Sequence, residues 1–434
     1  MTAQSIKISI IISIAHLFAA ALPGNEAYIS ALQTISQPLP QAEDALIERL
    51  AHARVVLMGE ASHGTAEYYT MRAEYSRRLI TEHGFNFVAV EGDWNSIYKL
   101  NEYVLGSRNP AGGAREIMRE FTRWPQWMWA NEEFADFVEW LREHNSTLPP
   151  EKKAGVYGMD VYGMEDALQK LPEAVGSVDA DLGIWISEQY AVFNPFIGNM
   201  HAYARVSAPP ARAPGREPAA AVMEKLRERK DDFPHDLFMH FKKMALVVVN
   251  AEAHYRTMAL RDASSWNNRA RHFFEAVKRL MDYYGEDARG IAWAHNTHIG
   301  DARATDMARG GQFNIGQLAR QHWGADHVAA LGFGTHRGTV MAGRQWGGER
   351  EIMRLPEGQT GSLEDLMRQA AEGDHVFFLD DAPAVLNRPV GHRAAGVIYH
   401  PEREHMGNYV RTIFPQRYDL FVFIEETKTL TPVD

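Results

Sequence analysis

"RVVLMGEASHGTAEYY", residues 54–69, sets a β-branched apolar run directly against a glycine-flanked polar loop and then a helix-like segment. Strand, tight loop and helix in succession form the repeating unit of an α/β fold. The loop itself carries Glu60, Ser62 and His63 between Gly59 and Gly64. Glycines on both sides permit a tight turn and a close backbone approach.

Working outward, runs of the same kind recur. They are "FNFVAVEGDW" (85–94), "AGVYGMD" (154–160), "GIAWAHNTH" (290–298), "HVAALGFGTH" (327–336), "HVFFLD" (375–380) and "YDLFVFIEE" (418–426). Continuous apolar runs of this length predict strands buried on both faces, as in a parallel sheet. Helical patterns lie between them. "AEYYTMRAEYSRRLITEHG" (66–84) closes on Gly84, the expected C-terminal residue. "NEEFADFVEWLREHN" (131–145) spaces Phe134, Phe137, Val138 and Leu141 on one face behind Asn131 as N-cap. The expected fold is α/β, with a largely parallel central sheet flanked by helices.

Residues 165–285 show amphipathic helical patterns and no clear strand, so they read as a helical insertion forming one wall of a cleft. Within it, "SAPPARAPGREPAAA" (207–221) reads as an exposed loop. Residues 28–434 are expected to form a single domain. Residues 1–27 are set apart: "KISIIISIAHLFAAALPG" (7–24) has a lysine, an apolar run and Ala19 and Ala21 in an A-x-A arrangement. It reads either as a signal peptide or as an apolar N-terminal extension, leaving cytoplasmic and exported locations both open. No other stretch approaches a transmembrane span.

The chain of 434 residues has 45 basic and 56 acidic side chains, a net charge of −11, and no cysteine. The charge argues against nucleic acid or an anionic membrane as partner. The missing cysteine removes thiol nucleophiles, thiolate zinc and disulfides together. There is no G-K pair and hence no P-loop, and "GFGTHRG" (332–338) misses the dinucleotide fingerprint by one residue.

Ligands of open parallel sheets bind beyond the carboxyl ends of the strands. The residues just past those ends are Glu60, His63, Glu91, Asp93, Asp160, His295, His298 and His336. Ser62 beside His63 suggests a serine hydrolase, but "GEASHG" is G-x-x-S-x-G, and no G-x-S-x-G elbow occurs anywhere. A base adjacent in sequence to its serine is also badly placed to bond it. Ser62 therefore reads as a packing or helix-entry residue, with Ser62 or Thr65 as cap. The pair His295 and His298 could ligate a metal, donate to an oxyanion or shuttle a proton. Arg72, on the helix after the loop, is placed to pair with a carboxylate such as Glu91.

These blocks together resemble the erythromycin esterase family. The match rests on residues 59–94 and "IAWAHNTHIGDA" (291–302), supported by "EFADFVEWLREHN", "VYGMDVYG", "NIGQLAR", "GFGTHRGTV" and "GNYVRTIFPQRYDLFVFIEET". The resemblance implies an α/β core with a helical portion beside a deep cleft, and ester hydrolysis without a metal or other cofactor. The family's motif histidine and glutamate fall on His63 and Glu60, its helix arginine and strand-end glutamate on Arg72 and Glu91, and its later histidines on His295 and His298. Where the family usually reads R-D-x-H-M, "NNRARHFF" (267–274) has Ala270 and Phe273. The later blocks are closer to the broad branch also labelled succinoglycan-biosynthesis-related.

The sequence thus predicts a hydrolase that opens a macrolide lactone or related small-molecule ester. His63 activates water, Glu60 orients it, Arg72 and Glu91 brace the site, and His295 and His298 stabilise the oxyanion and protonate the leaving group. The alternatives are a metal-dependent hydrolase using the same residues and a non-catalytic polysaccharide-assembly component.

Overall fold

Val55 and Leu57 pack into one hydrophobic layer while Val56 and Met58 pack into another, and all four are fully buried. Side chains of a strand alternate between faces, so a run that is apolar at every position must be covered twice. In this computed structural model, which describes residues 24–434, that strand is central to a nine-stranded sheet. The prediction for residues 1–27 falls almost wholly outside the described residues.

The strands are β1 (Ser36–Pro38), β2 (Val55–Met58), β3 (Phe87–Asp93), β4 (Gly155–Asp160), β5 (Gly290–Trp293), β6 (Val328–Gly343), β7 (Arg350–Leu355), β8 (His375–Phe378), β9 (Pro389–Arg393), β10 (Tyr409–Ile413) and β11 (Leu420–Thr427). The order across the main sheet is β1-β8-β11-β6-β2-β5-β3-β4, with β7 added to β6. From β11 to β4 every neighbour is parallel, whereas β8, β1 and β7 join antiparallel. The predicted α/β class with a largely parallel sheet flanked by helices is the observed one. Strands β9 and β10 form a separate hairpin.

Helix Ala66–His83 follows the loop after β2 and ends at Gly84, whose φ of 68° is left-handed. Asn131 caps helix Glu132–Ser146 by accepting the Phe134 N–H at 2.8 Å. Between β4 and β5 the chain forms helices and loops alone, from Met164–Gly176 to Ser264–Tyr284, and their apolar faces join the layer that holds Val55 and Leu57. The exposed loop expected over 207–221 is shorter. Ser207 is the last residue of helix Met200–Ser207, and a new helix, Arg216–Glu228, starts directly after Gly215. Pro218 stands in that helix's first turn, where its missing N–H costs no bond, so the proline does not prevent the helix. No helix of the described residues is long and apolar enough to cross a membrane.

Candidate active site

The sheet order decides which strand ends meet. β5 lies between β2 and β3, so the His295 segment sits between the Glu60 loop and Glu91. Backbone bonds tie it to both sides: Asn296 N–H donates to Glu60 O at 2.9 Å, and His295 N–H donates to Glu91 Oε2 at 2.9 Å. Glu60, Arg72, His63, Glu91, His295 and His298 are all buried, at 8% exposure or less.

His63 Nδ1 lies 2.8 Å from Glu60 Oε1. A carboxylate only accepts, so Nδ1 carries the proton and Nε2 keeps its lone pair. Burial lowers the His63 pKa, but the bond to Glu60 and the charges of Glu91 and Glu60 outweigh it and leave the imidazole above its ordinary value. Glu60 Oε2 accepts from Arg72 Nη2 at 2.8 Å. The Arg72 guanidinium is fully buried between the rings of Tyr69 and Trp293, at 4.7 and 5.1 Å from their centroids. Arg72 therefore braces Glu60, and the expected Arg72–Glu91 pair does not form. The cause is the strand order, which puts β5 between the two carboxylates.

Glu91 is held instead by Arg269, a residue that strand-end reasoning passed over. Arg269 Nη2 is 2.7 Å from Glu91 Oε1 and 2.6 Å from Asp160 Oδ2, and its Nε is 2.9 Å from Asp160 Oδ1. Burial pushes Glu91 up, yet His298 and Arg269 hold it well below the usual carboxylate range; Asp160 is lowered too, Arg269 outweighing its burial. The signal is present in "NNRARHFF": Arg269 occupies the arginine of the family's R-D-x-H-M pattern. Ala270 is fully buried, and the Phe273 ring lies 5.0 Å from that of His298.

The two histidines after β5 differ. His295 Nδ1 accepts the Thr297 N–H at 3.2 Å and lies 2.8 Å from Thr297 Oγ1. Its proton is thus on Nε2, which is buried without a partner. Burial and nearby His63 keep the ring well below its ordinary pKa, hence neutral. Its centroid is 4.9 Å from that of His63. His298 Nε2 lies 3.1 Å from Arg269 Nη1 and 3.3 Å from Glu91 Oε1, and the ring stacks on Trp266 at 4.6 Å.

Ser62 Oγ bonds Thr65 Oγ1 at 2.5 Å and no histidine. Thr65 occupies the N-cap position of helix Ala66–His83 without a side-chain cap bond. The flanking glycines allow close packing within the chain: a Cβ on Gly59 would meet Asn296 Oδ1, and one on Gly64 would meet the Met341 carbonyl. Asp93 pairs with Arg123 at 2.7 Å beside the site. His336 is not drawn in; its charged neighbours are Glu357, Arg393, Asp365 and Arg337.

Ligand atoms of Glu60, His63 and Glu91 lie within 4.8 Å of one another, a spacing that a metal ion could bridge. Both carboxylates are already neutralised by guanidinium groups, Arg72 on one and Arg269 on the other. A cation would have to compete with two buried arginines. A cavity of about 630 Å³, lined by none of Glu60, His63 and Glu91, runs between the insertion (Asn199, His201, Tyr255) and the end of β3 with the segment after it (Asp93, Arg123). Tyr162 lines it and also faces the Arg269 guanidinium at 4.9 Å.

A buried carboxylate–histidine pair, a second buried histidine beside it and a nearby cavity make the strand ends of this α/β sheet the candidate site. The erythromycin esterase family model matches residues 80–427, and the chain belongs to that family. The match begins after Glu60, His63 and Arg72, so those three are placed by the loop and helix geometry above. Three solved structures share the fold. A succinoglycan biosynthesis protein is 19% identical with a TM-score of 0.75, over 95% of this chain and 100% of its own. A Bacillus cereus protein is 19% identical with a TM-score of 0.77, over 94% and 99%. A mutant of the erythromycin esterase EreC in its open conformation is 17% identical with a TM-score of 0.68, over 90% and 95%.

Proposed function

We propose that this protein hydrolyses a carboxylic ester or lactone, with His63 as the general base acting on water. The observation that carries the reading is the 2.8 Å contact of Glu60 Oε1 with His63 Nδ1, which fixes the tautomer and leaves Nε2 as base. Water loses a proton to Nε2 as its oxygen bonds the carbonyl carbon. The oxyanion that forms takes the Nε2–H of His295, a buried donor. Collapse breaks the carbon–oxygen ester bond, and the His63 imidazolium returns its proton to the departing alkoxide. Arg72 and Arg269 hold the two carboxylates, and His298 positions Arg269. The contact of Ser62 with Thr65 and not with a histidine supports a mechanism without an acyl-enzyme.

Family membership supports an ester hydrolase, and the nearby cavity suits a small molecule of moderate size. A macrolide lactone or a related cyclic ester is the substrate class we assign. The test is a panel of aryl esters and macrolides assayed with wild type and His63→Ala in ¹⁸O-water. One labelled oxygen in the acid product, and loss of turnover in the variant, are expected. An acyl adduct on Ser62 would overturn the mechanism.

The clustering of Glu60, His63 and Glu91 favours one second reading, a metal-dependent hydrolase. Activity that falls with a chelator and returns with a divalent cation selects it.

A further inference from the structure

A second carboxylate–histidine pair borders the site through Asn296. His392, on β9, is 1% exposed, and Glu364, on helix Leu363–Ala370, is fully buried. His392 Nδ1 is 2.6 Å from Glu364 Oε1, which also accepts the Arg393 N–H at 2.8 Å. Burial raises the Glu364 pKa, yet His392 and Arg393 bring it below the ordinary value, so the carboxylate is charged. Burial keeps the His392 ring below its own ordinary pKa against the pull of Glu364, so the ring is neutral. Its one proton is therefore on Nδ1, facing the carboxylate, and Nε2 is an acceptor. Two donors reach Nε2: the Tyr418 hydroxyl at 3.1 Å and Asn296 Nδ2 at 3.3 Å.

Both ring nitrogens are occupied and the ring is enclosed, so His392 takes no proton from a substrate. It acts on Asn296 instead. One hydrogen of the Asn296 amide goes to Phe333 O at 2.6 Å, and the other faces His392 Nε2. Asn296 Oδ1 accepts the Phe333 N–H at 3.3 Å. A flipped amide would set its oxygen against the Nε2 lone pair and against Phe333 O. Without His392 a buried N–H would lack its acceptor, a loss that Asn296 relieves only by moving. The backbone N–H of Asn296 donates to Glu60 O at 2.9 Å, and the residue before it is His295. On the reading of His63 as base and His295 as oxyanion donor, we propose that His392 is a positioning residue. Its tautomer, set by Glu364, holds Asn296 and so fixes His295 against the Glu60 loop. Glu364 is a costly way to fill space, since its Oε2 is buried without a partner, a penalty that an apolar residue would avoid.

Steady-state hydrolysis of an aryl ester by variants of the full chain tests this. His392→Leu, which cannot accept from Asn296, should lower kcat by about 10- to 100-fold with KM little changed, as misplacing a catalytic group does. His392→Gln keeps an acceptor on that side and should recover most of the rate. Tyr418→Phe, which removes only the other donor to Nε2, should stay near wild type. In an Asn296→Ala background His392→Leu should cost nothing further, because the two residues act through one contact. Additive losses in that cycle, or a His392→Gln as slow as His392→Leu, would overturn the proposal. If His392→Leu does not fold, the imidazole nitrogen shifts of the wild type, read by NMR, decide without any substrate. A proton on Nδ1 with Nε2 accepting is expected, and a proton on Nε2 would overturn the contact. Retained turnover in His63→Ala would fault the assignment of the base, whereas additive losses fault His392 alone.

Discussion

Glu60 and His63, three residues apart on one loop, are joined through Oε1 and Nδ1 at 2.8 Å with both side chains buried. In the proposed mechanism that contact presets His63 as the base, and it sets the first expectation. His63→Ala should lower kcat on an aryl ester by about 10²–10⁴-fold, the usual contribution of general-base catalysis. Glu60→Gln should fall between that variant and wild type, since an amide can still orient the ring. Ser62→Ala should keep most of its activity, with no burst of product in wild type.

The pH profile follows from the sign of the His63 shift. The base works unprotonated, and its pKa is raised above the ordinary histidine value, so kcat/KM should fall as pH drops through a pKa above about 6.5. The bond to Glu60 is the leading upward influence after burial's downward one. Glu60→Gln should therefore move the acid limb toward lower pH. A limb unmoved by that substitution would mean another group titrates.

Arg269 compensates two carboxylates that are 3% and 2% exposed. Arg269→Met should destabilise the fold by about 3–5 kcal/mol, the cost of leaving a buried partner unpaired. Asp160 and Glu91 have depressed pKa values, so the stability they lend is present above their unfolded values near 4 and is lost as pH falls toward their folded ones. In the variant, denaturation midpoints measured from pH 3 to 7 should lose most of that slope.

What the sequence revealed and what it hid have physical reasons. Strands β2, β3, β4, β5 and β11 were readable because each begins with at least four consecutive buried residues that are apolar or small, covered on both faces. Strand β7, "REIMRL", is exposed along much of its length and carries three charges, so it lacks that pattern. Glu60, His63, Glu91, His295 and His298 were readable as strand-end residues. The Arg72 partner was not, because pairing depends on strand order, which hydrophobic runs do not encode. Arg269 lies on an amphipathic helix and meets Glu91 across 178 positions of chain. Locally it looks like any solvated arginine.

Metal dependence can be separated from the histidine–water mechanism by removal. Both carboxylates already carry guanidinium partners, so extensive chelation should leave kcat unchanged, and added zinc or manganese should not raise it. Titration of a divalent cation into Arg72→Met is the sharper arm. Freeing Glu60 of its arginine should improve cation binding there, while hydrolysis still falls.

Gly59 joins the two halves of the site through a contact rather than through its backbone angles. A Cβ at this position would meet the Asn296 side-chain oxygen, and Asn296 is fully buried. Asn296 cannot simply turn away, because its amide nitrogen donates to Phe333 O at 2.6 Å and lies 3.3 Å from His392 Nε2. Its backbone also holds Glu60. Gly59→Ala should therefore displace the His295 segment relative to Glu60, costing about 1–3 kcal/mol as overpacking does. The loss of kcat should exceed what that stability change explains, since a displacement near 1 Å can cost about 10²-fold in rate. Pairing the substitution with Asn296→Ala, which opens the space, separates the effects. Recovery of stability without recovery of kcat would show that Asn296 positions His295 as well as filling the gap.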